Sequence, residues 1–134
     1  MARRKAGTDS PGFDFTLHMR RLCQDIVTRS PQLAHIDLSR VVVAYARSRK
    51  PSAYGLQAAL TPLRFEGGSR YTTRRGRRWS VQRVLDGHGR EMLYILSFYL
   101  PRFLDTSYQE KLTTIFHELW HVSPEFDGDI RRHE

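Results

Sequence analysis

His117, Glu118 and His121 have side chains and a spacing suited to metal-assisted hydrolysis. In a helix, residues four apart lie one turn apart on one face, so two imidazole nitrogens reach one metal ion. Glu118 is rotated by about 100° from His117. Its carboxylate then stands beside the metal, placed to take a proton from a bound water. Zinc lowers the pKa of such a water from 15.7 to about 7, which brings its deprotonation into the neutral range. A structural zinc has no use for a glutamate between its histidines, so the pattern H-E-x-x-H points toward catalysis.

The flanking sequence supplies the helix that this pattern needs. Ser107 and Glu110 have capping-box spacing and predict a helix start at Ser107. Tyr108, Leu112, Ile115, Phe116 and Leu119 recur at helical spacing and form an apolar face opposite the three polar residues. One side of the helix is expected to anchor in a core while the other lines a cleft. Pro124 predicts that the helix does not run past Val122 and that the chain turns there.

A zinc site needs a further ligand. After His121 the candidates are Glu125, Asp127, Asp129 and His133, or a residue beyond Glu134. Phe126 offers an apolar anchor and Gly128 a joint, so this segment can fold back toward the metal. His133, a neutral imidazole with enough chain for a turn and a return, is the preferred choice.

The preceding chain reads as follows. Residues 1–12 form a polar, basic tail expected to be disordered, and residues 13–134 one domain. Phe15, Met19, Leu22 and Ile26 predict a helix over 14–29, stopped by Ser30-Pro31. The run Val41-Val42-Val43 predicts a strand within 38–46, buried on both faces and central in a sheet. Residues 47–51 read as a basic loop. Residues 54–66 are ambiguous: 56–60 suits a short helix, whereas Leu63 and Phe65 alternate as in a strand, which Pro62 would confine to an edge or bulge. Two strands, 79–85 and 92–99, flank the hairpin signal Asp86-Gly87-His88-Gly89. His18, His35 and His88 read as surface, capping or turn residues. Together the elements predict an α+β fold, a small mixed sheet with helices packed on one face.

Net charge is +8, from 22 Lys and Arg against 14 Asp and Glu. Nearly all the positive charge is arginine, which suits bidentate contact with phosphate or carboxylate. Arg70, Arg74, Arg75, Arg77 and Arg78 cluster around Gly76 beside Tyr71 and Trp79. The cluster reads either as a grip on nucleic acid, with arginines on phosphates and aromatics on bases, or as a solvated hairpin tip. No apolar run approaches the ~20 residues of a membrane span. No apolar stretch follows the basic N-terminus, so no secretory signal is expected. The single cysteine, Cys23, rules out an internal disulfide and suggests a reducing, cytoplasmic setting.

With these residues in view, the chain resembles the zincin metallopeptidases, and more narrowly the compact SprT-like and phage or bacterial metallopeptidase group. The resemblance rests on HELWHVSPEFDGDIRRH, His117 to His133, and on the approach Phe98-Tyr99-Leu100-Pro101-Arg102-Phe103. It implies a zinc-dependent peptidase whose protein or peptide substrate lies along a sheet edge, with a downstream histidine as third ligand. Some SprT-like relatives act on DNA-bound proteins, which would give the basic surface a DNA partner. The metzincin pattern continues differently, with Pro124 here in place of its glycine and Asp127 in place of its last histidine. The expected function is peptide-bond hydrolysis with Zn²⁺ on His117, His121 and His133 and Glu118 as general base. The rival is a nucleic-acid- or protein-binding module with a structural zinc.

Overall fold

The computed structural model describes residues 14–47 and 56–131. The expected basic tail, most of the basic loop at 47–51 and His133 lie outside them. The described chain is mixed α+β, with two helices, a three-stranded sheet and a separate two-stranded hairpin.

Helix α1 spans Phe15–Arg29. Asp14 caps it, its side chain accepting the Leu17 N–H at 3.0 Å, and the chain leaves at Ser30 before Pro31. The buried stripe is Met19, Cys23 and Val27, one turn apart each time. Phe15, Leu22 and Ile26 pack beside it, half-buried. The apolar face is therefore centred slightly off the expected one. Burial pushes the Cys23 thiol up to about 12.

Strands β1 (Val41–Arg47), β2 (Ala58–Pro62) and β5 (Tyr94–Leu100) form a mixed sheet in the order β1-β5-β2. β5 runs parallel to β1 and antiparallel to β2. The valine run is thus an edge strand, not the central one. Val41 and Val43 are buried while Val42 is half-buried, so β1 alternates in place of burying both faces. The central position belongs to β5, where Tyr94, Leu96 and Phe98 are fully buried. In the ambiguous stretch, β2 forms over residues that suited a short helix, while Leu63 and Phe65 lie past its end; Pro62 sits on a strand with one neighbour, where its missing N–H costs no ladder bond.

The face made by Val41, Val43, Tyr94, Leu96, Phe98 and Ala58 shares one core with the buried residues of both helices. α1 packs on β1, and the second helix, α2 (Tyr108–Trp120), packs on β2. Phe98 links the layers through ring contacts with Phe15 at 5.8 Å and Phe103 at 4.7 Å between centroids.

The remaining strands depart from expectation. β3 (Tyr71–Arg74) and β4 (Arg77–Ser80) pair with each other around Arg75-Gly76. The turn at residues 86–89 does form, with the Asp86 side chain accepting the His88 and Arg90 N–H groups at 2.8 Å each. It closes a single Leu85–Glu91 bridge and not a hairpin of long strands, because β5 pairs with β1 and β2 instead.

Glu91 is one half of that bridge and the buried charge hub of the fold. Its carboxylate accepts from Arg64 at 2.6 and 2.9 Å, and from Arg70 and Arg83 at 3.1 Å. Burial works against its charge. The hydrogen bonds and positive charge of Arg64, then Arg70 and Arg83, outweigh burial and hold the carboxyl below its usual range. Arg64 in turn donates to the Gly68 carbonyl, and its backbone N–H donates to the Gly128 carbonyl. The hub therefore ties β2, the chain before β5 and the C-terminal segment together.

Because the folded pKa of Glu91 is lowered, its contribution is fully present above the unfolded value of about 4.3 and is lost as pH falls through the folded value. Glu91→Gln leaves three arginines without their shared carboxylate. At pH 7 it is expected to cost about 3–5 kcal/mol in urea unfolding, and to flatten the stability loss below about pH 4. Equal urea midpoints for the two proteins at pH 7 would show that the hub does not hold the fold.

Candidate metal centre

Helix α2 begins as its sequence dictates. Ser107 Oγ accepts the Glu110 N–H at 3.1 Å, and Glu110 Oε1 accepts the Ser107 N–H at 3.2 Å. This reciprocal box satisfies two groups that the helix start would otherwise leave unpaired. Ile115 and Leu119 are fully buried and fix the rotation of the helix. Leu112 and Phe116 are half-buried, and Tyr108 is exposed, so the inward face is narrower than the apolar pattern.

The four-residue spacing brings His117 and His121 together on one face of the helix. Their Nε2 atoms are 3.2 Å apart and their rings are perpendicular, at 89°. Two nitrogens bound to one tetrahedral zinc at 2.0–2.1 Å stand about 3.3 Å apart, so the pair matches a shared ion. His121 is the C-cap of α2 and keeps right-handed helical dihedrals, φ −71 and ψ −11. The four-residue spacing thus stays helical even though the last full helical residue is Trp120. The Nδ1 of His121 faces the Arg131 carbonyl at 3.5 Å. A carbonyl there favours the proton on Nδ1 and leaves Nε2 as the lone-pair nitrogen a metal needs.

Glu118 is half-buried, and its Oε1 accepts the Leu60 N–H of β2 at 3.1 Å. Strand alternation puts the outward backbone groups of β2 on Ala58, Leu60 and Pro62. One outward N–H is thus used to aim the glutamate, and Pro62 has none. Thr114 Oγ1 meets Gln57 Oε1 at 3.1 Å and ties the start of β2 to the same helix. Two recesses flank His117. One, of about 320 Å³, lies at the start of β2 and is lined by Leu56, Gln57, Ala58, Thr114 and Glu118. The other, of about 490 Å³, is apolar and lies between Ile26 of α1 and Leu112, Phe116 and Trp120 of α2.

After His121 the chain folds back, in keeping with Pro124 and Gly128. Val122 bridges Ile130, and the Arg131 N–H donates to the His121 carbonyl at 2.6 Å. Two left-handed residues make the turn, Phe126 at φ 50 and Gly128 at φ 90. A side chain at Gly128 would collide with Arg64, its Cβ falling 2.3 Å from that residue's Cγ, so glycine is required. The Phe126 ring anchors on Tyr94 at 5.5 Å. Arg131 lies over the Trp120 ring at 4.6 Å and donates from Nε to the Trp120 carbonyl at 3.0 Å.

The carboxylates of this return serve the turn. Asp129 is buried, and its carboxylate accepts the N–H groups of Gly67 at 3.0 Å and Ile130 at 2.8 Å. Asp127 Oδ1 accepts the Asp129 N–H, and Glu125 accepts the Ser123 hydroxyl. Among the described residues no third His, Cys, Asp or Glu joins the histidine pair in a metal-holding group. His133 lies two residues beyond Arg131, outside the described residues.

The other described histidines do not join the pair in a metal-holding group. His18 and His88 are exposed, while His35 is half-buried with no partner for its Nε2 among the described residues. Three contributors escaped the sequence reading. The Leu60 N–H and the Arg131 carbonyl are backbone groups, which side-chain patterns do not reveal. Tyr94 leaves a weak signal, a polar-tipped ring at a core strand position. Its hydroxyl accepts the Gly128 N–H at 3.0 Å and donates to the Asp129 carbonyl at 2.7 Å, locking the return in place. Burial pushes its phenol up to about 12.

The arginine cluster is divided by the hairpin register. Arg74 pairs with Arg77 and Thr72 with Trp79 on one face, while Tyr71, Arg78 and Ser80 lie on the other. Arg70 leaves the group to bind Glu91. No described helix is long and apolar enough to cross a membrane.

No family model, curated protein or solved structure matches the chain.

The geometry predicts how zinc affinity responds to substitution. His121→Ala is expected to raise the zinc dissociation constant by orders of magnitude. Asp127→Ala should leave it within about twofold, because that carboxylate caps a turn. Competition titration with a chromogenic chelator measures both. A large loss in Asp127→Ala with an intact fold would return the aspartate to the site.

Proposed function

We propose that the chain is a zinc-dependent metallopeptidase of the zincin type, with α2 as its active-site helix. The observation that carries this reading is the 3.2 Å separation of the His117 and His121 Nε2 atoms, with Glu118 between them in sequence. His117 and His121 supply two of the three protein ligands of a catalytic zinc. His133 is the third in this reading, supported by the return that sets the Arg131 backbone against His121 two residues earlier. Two residues of chain reach at most about 7 Å, enough to present a side chain to the same centre.

Zinc in this site would polarise the scissile carbonyl and acidify a water. The chain's own residues do the rest. Glu118, held through Oε1 by the Leu60 N–H, takes the water proton and passes it to the leaving amine. Holding one carboxylate oxygen lowers the entropy lost when the other engages the water. The peptide substrate occupies the recess at the start of β2, where Ala58 lines it together with His117 and Glu118. The apolar groove on the other side of His117 suits a large apolar side chain next to the scissile bond.

Glu118→Gln separates catalysis from metal binding. Glutamine keeps the shape and can still accept from Leu60, yet it is no base. The variant should retain one zinc per chain by elemental analysis and lose about a hundredfold or more of peptidase activity on an unfolded protein substrate. Equal cleavage by both proteins would falsify the assignment of Glu118. Zinc retention without hydrolysis in either protein would favour a binding module with a structural zinc.

A further inference from the structure

The positive charge of the chain is unevenly neutralised. Arg64, Arg70 and Arg83 share Glu91, Arg29 pairs with Asp25, and Arg90 with Asp86. Among the described residues no carboxylate pairs with Arg74, Arg75, Arg77 or Arg78. The register makes this costly, because Arg74 and Arg77 are direct cross-strand partners on one face of the hairpin. Like charges directly opposite destabilise a strand pair unless an anion lies between them.

The turn adds a third cation. Arg75 has φ 53 and Gly76 φ 73, the left-handed pair of a tight hairpin turn. Asparagine, aspartate or glycine is favoured at the first of these positions, and arginine stands there against that preference. Arg74, Arg75 and Arg77 line one recess with the rings of Phe65 and Trp79. Its volume is about 680 Å³, within the roughly 300–1,000 Å³ of ligand sites. Phe65 lies under the Arg74 guanidinium at 5.9 Å, whereas Trp79 is half exposed, at 50%. Arg78 points to the opposite face and covers the Tyr71 ring at 4.2 Å.

We propose that the β3–β4 hairpin is a binding site for single-stranded nucleic acid, in which Arg74, Arg75 and Arg77 hold backbone phosphate and Trp79 stacks on the adjoining base. Arginine forks match phosphate oxygens, and an exposed indole offers a stacking platform to any base. Stacking on a side chain requires an unpaired base, which selects a single strand over a duplex. The site shares no residue with the histidine pair and stands whether or not the chain is a peptidase.

Arg77 and Arg78 are adjacent, carry the same charge and face opposite ways, so they separate a built site from general attraction. Fluorescence anisotropy of the full chain with labelled single-stranded DNA, single-stranded RNA and duplex DNA is followed from about 50 to 200 mM salt. The single strands should bind more tightly than the duplex, and the DNA and RNA arms decide which is preferred. Arg77→Ala should weaken binding and reduce the logarithmic salt slope by about 0.7, the share of one phosphate contact. Trp79→Ala should weaken it by about fivefold or more with the slope unchanged. Arg78→Ala should stay within about twofold of wild type. Unfolding midpoints confirm that each variant is folded. The proposal is overturned if wild type binds no single strand at the lowest salt. Equal losses in Arg77→Ala and Arg78→Ala, or duplex binding as tight as single-strand binding, also overturn it.

Discussion

His121, the C-cap of α2, keeps helical dihedrals, and its own N–H still bonds back to Glu118 and Leu119. One residue fewer of helix would swing its ring away from His117. One turn more would take up the residues that make the return and set Arg131 against His121. The candidate centre depends on the helix stopping at this point. The local sequence enforces the stop, since Pro124 cannot continue a helix and Phe126 and Gly128 take left-handed dihedrals that turn the chain back. The same residues that end the helix therefore start the return that brings Arg131 back to His121.

Holding that return takes interactions from elsewhere in the fold. Tyr94 reaches it from the central strand through two hydrogen bonds at its hydroxyl. Arg64 reaches it from the end of β2, and is itself fixed by Glu91. The buried carboxylate, the central strand and the site form one connected structure. Destabilising Glu91 should loosen the His121 surroundings through Arg64 and the return.

Much of the local structure was legible in the sequence. The limits of α1, the Ser107 cap, the break before Pro124 and the reversal near Gly128 all come from residues whose backbone preferences act within a few positions. The sheet was harder to read. Val41-Val42-Val43 suggests a central strand, yet Tyr94, Leu96 and Phe98 take that place, because strand order is set by long-range packing that β-branched runs do not encode. The second strand of the expected hairpin at residues 86–89 was drawn instead to β1 and β2 for the same reason. At the candidate site the histidine pair and glutamate could be found from spacing alone. The groups that orient them, the Leu60 N–H and the Arg131 carbonyl, could not, because every residue but proline carries both kinds of group and only the fold selects which are used. The arginine cluster showed a third kind of limit. Its composition was plain, but its division between two hairpin faces appears only once Arg74 is known to pair with Arg77.

The central claim is that His117 and His121 share one zinc at a catalytic, open site. A crystal structure of the zinc-loaded full chain tests it most directly. The account predicts an ion about 2.0–2.1 Å from both Nε2 atoms, three protein ligands in total, and solvent in the remaining position beside Glu118. Zinc bound away from the histidine pair, or enclosed by four protein ligands, would contradict it.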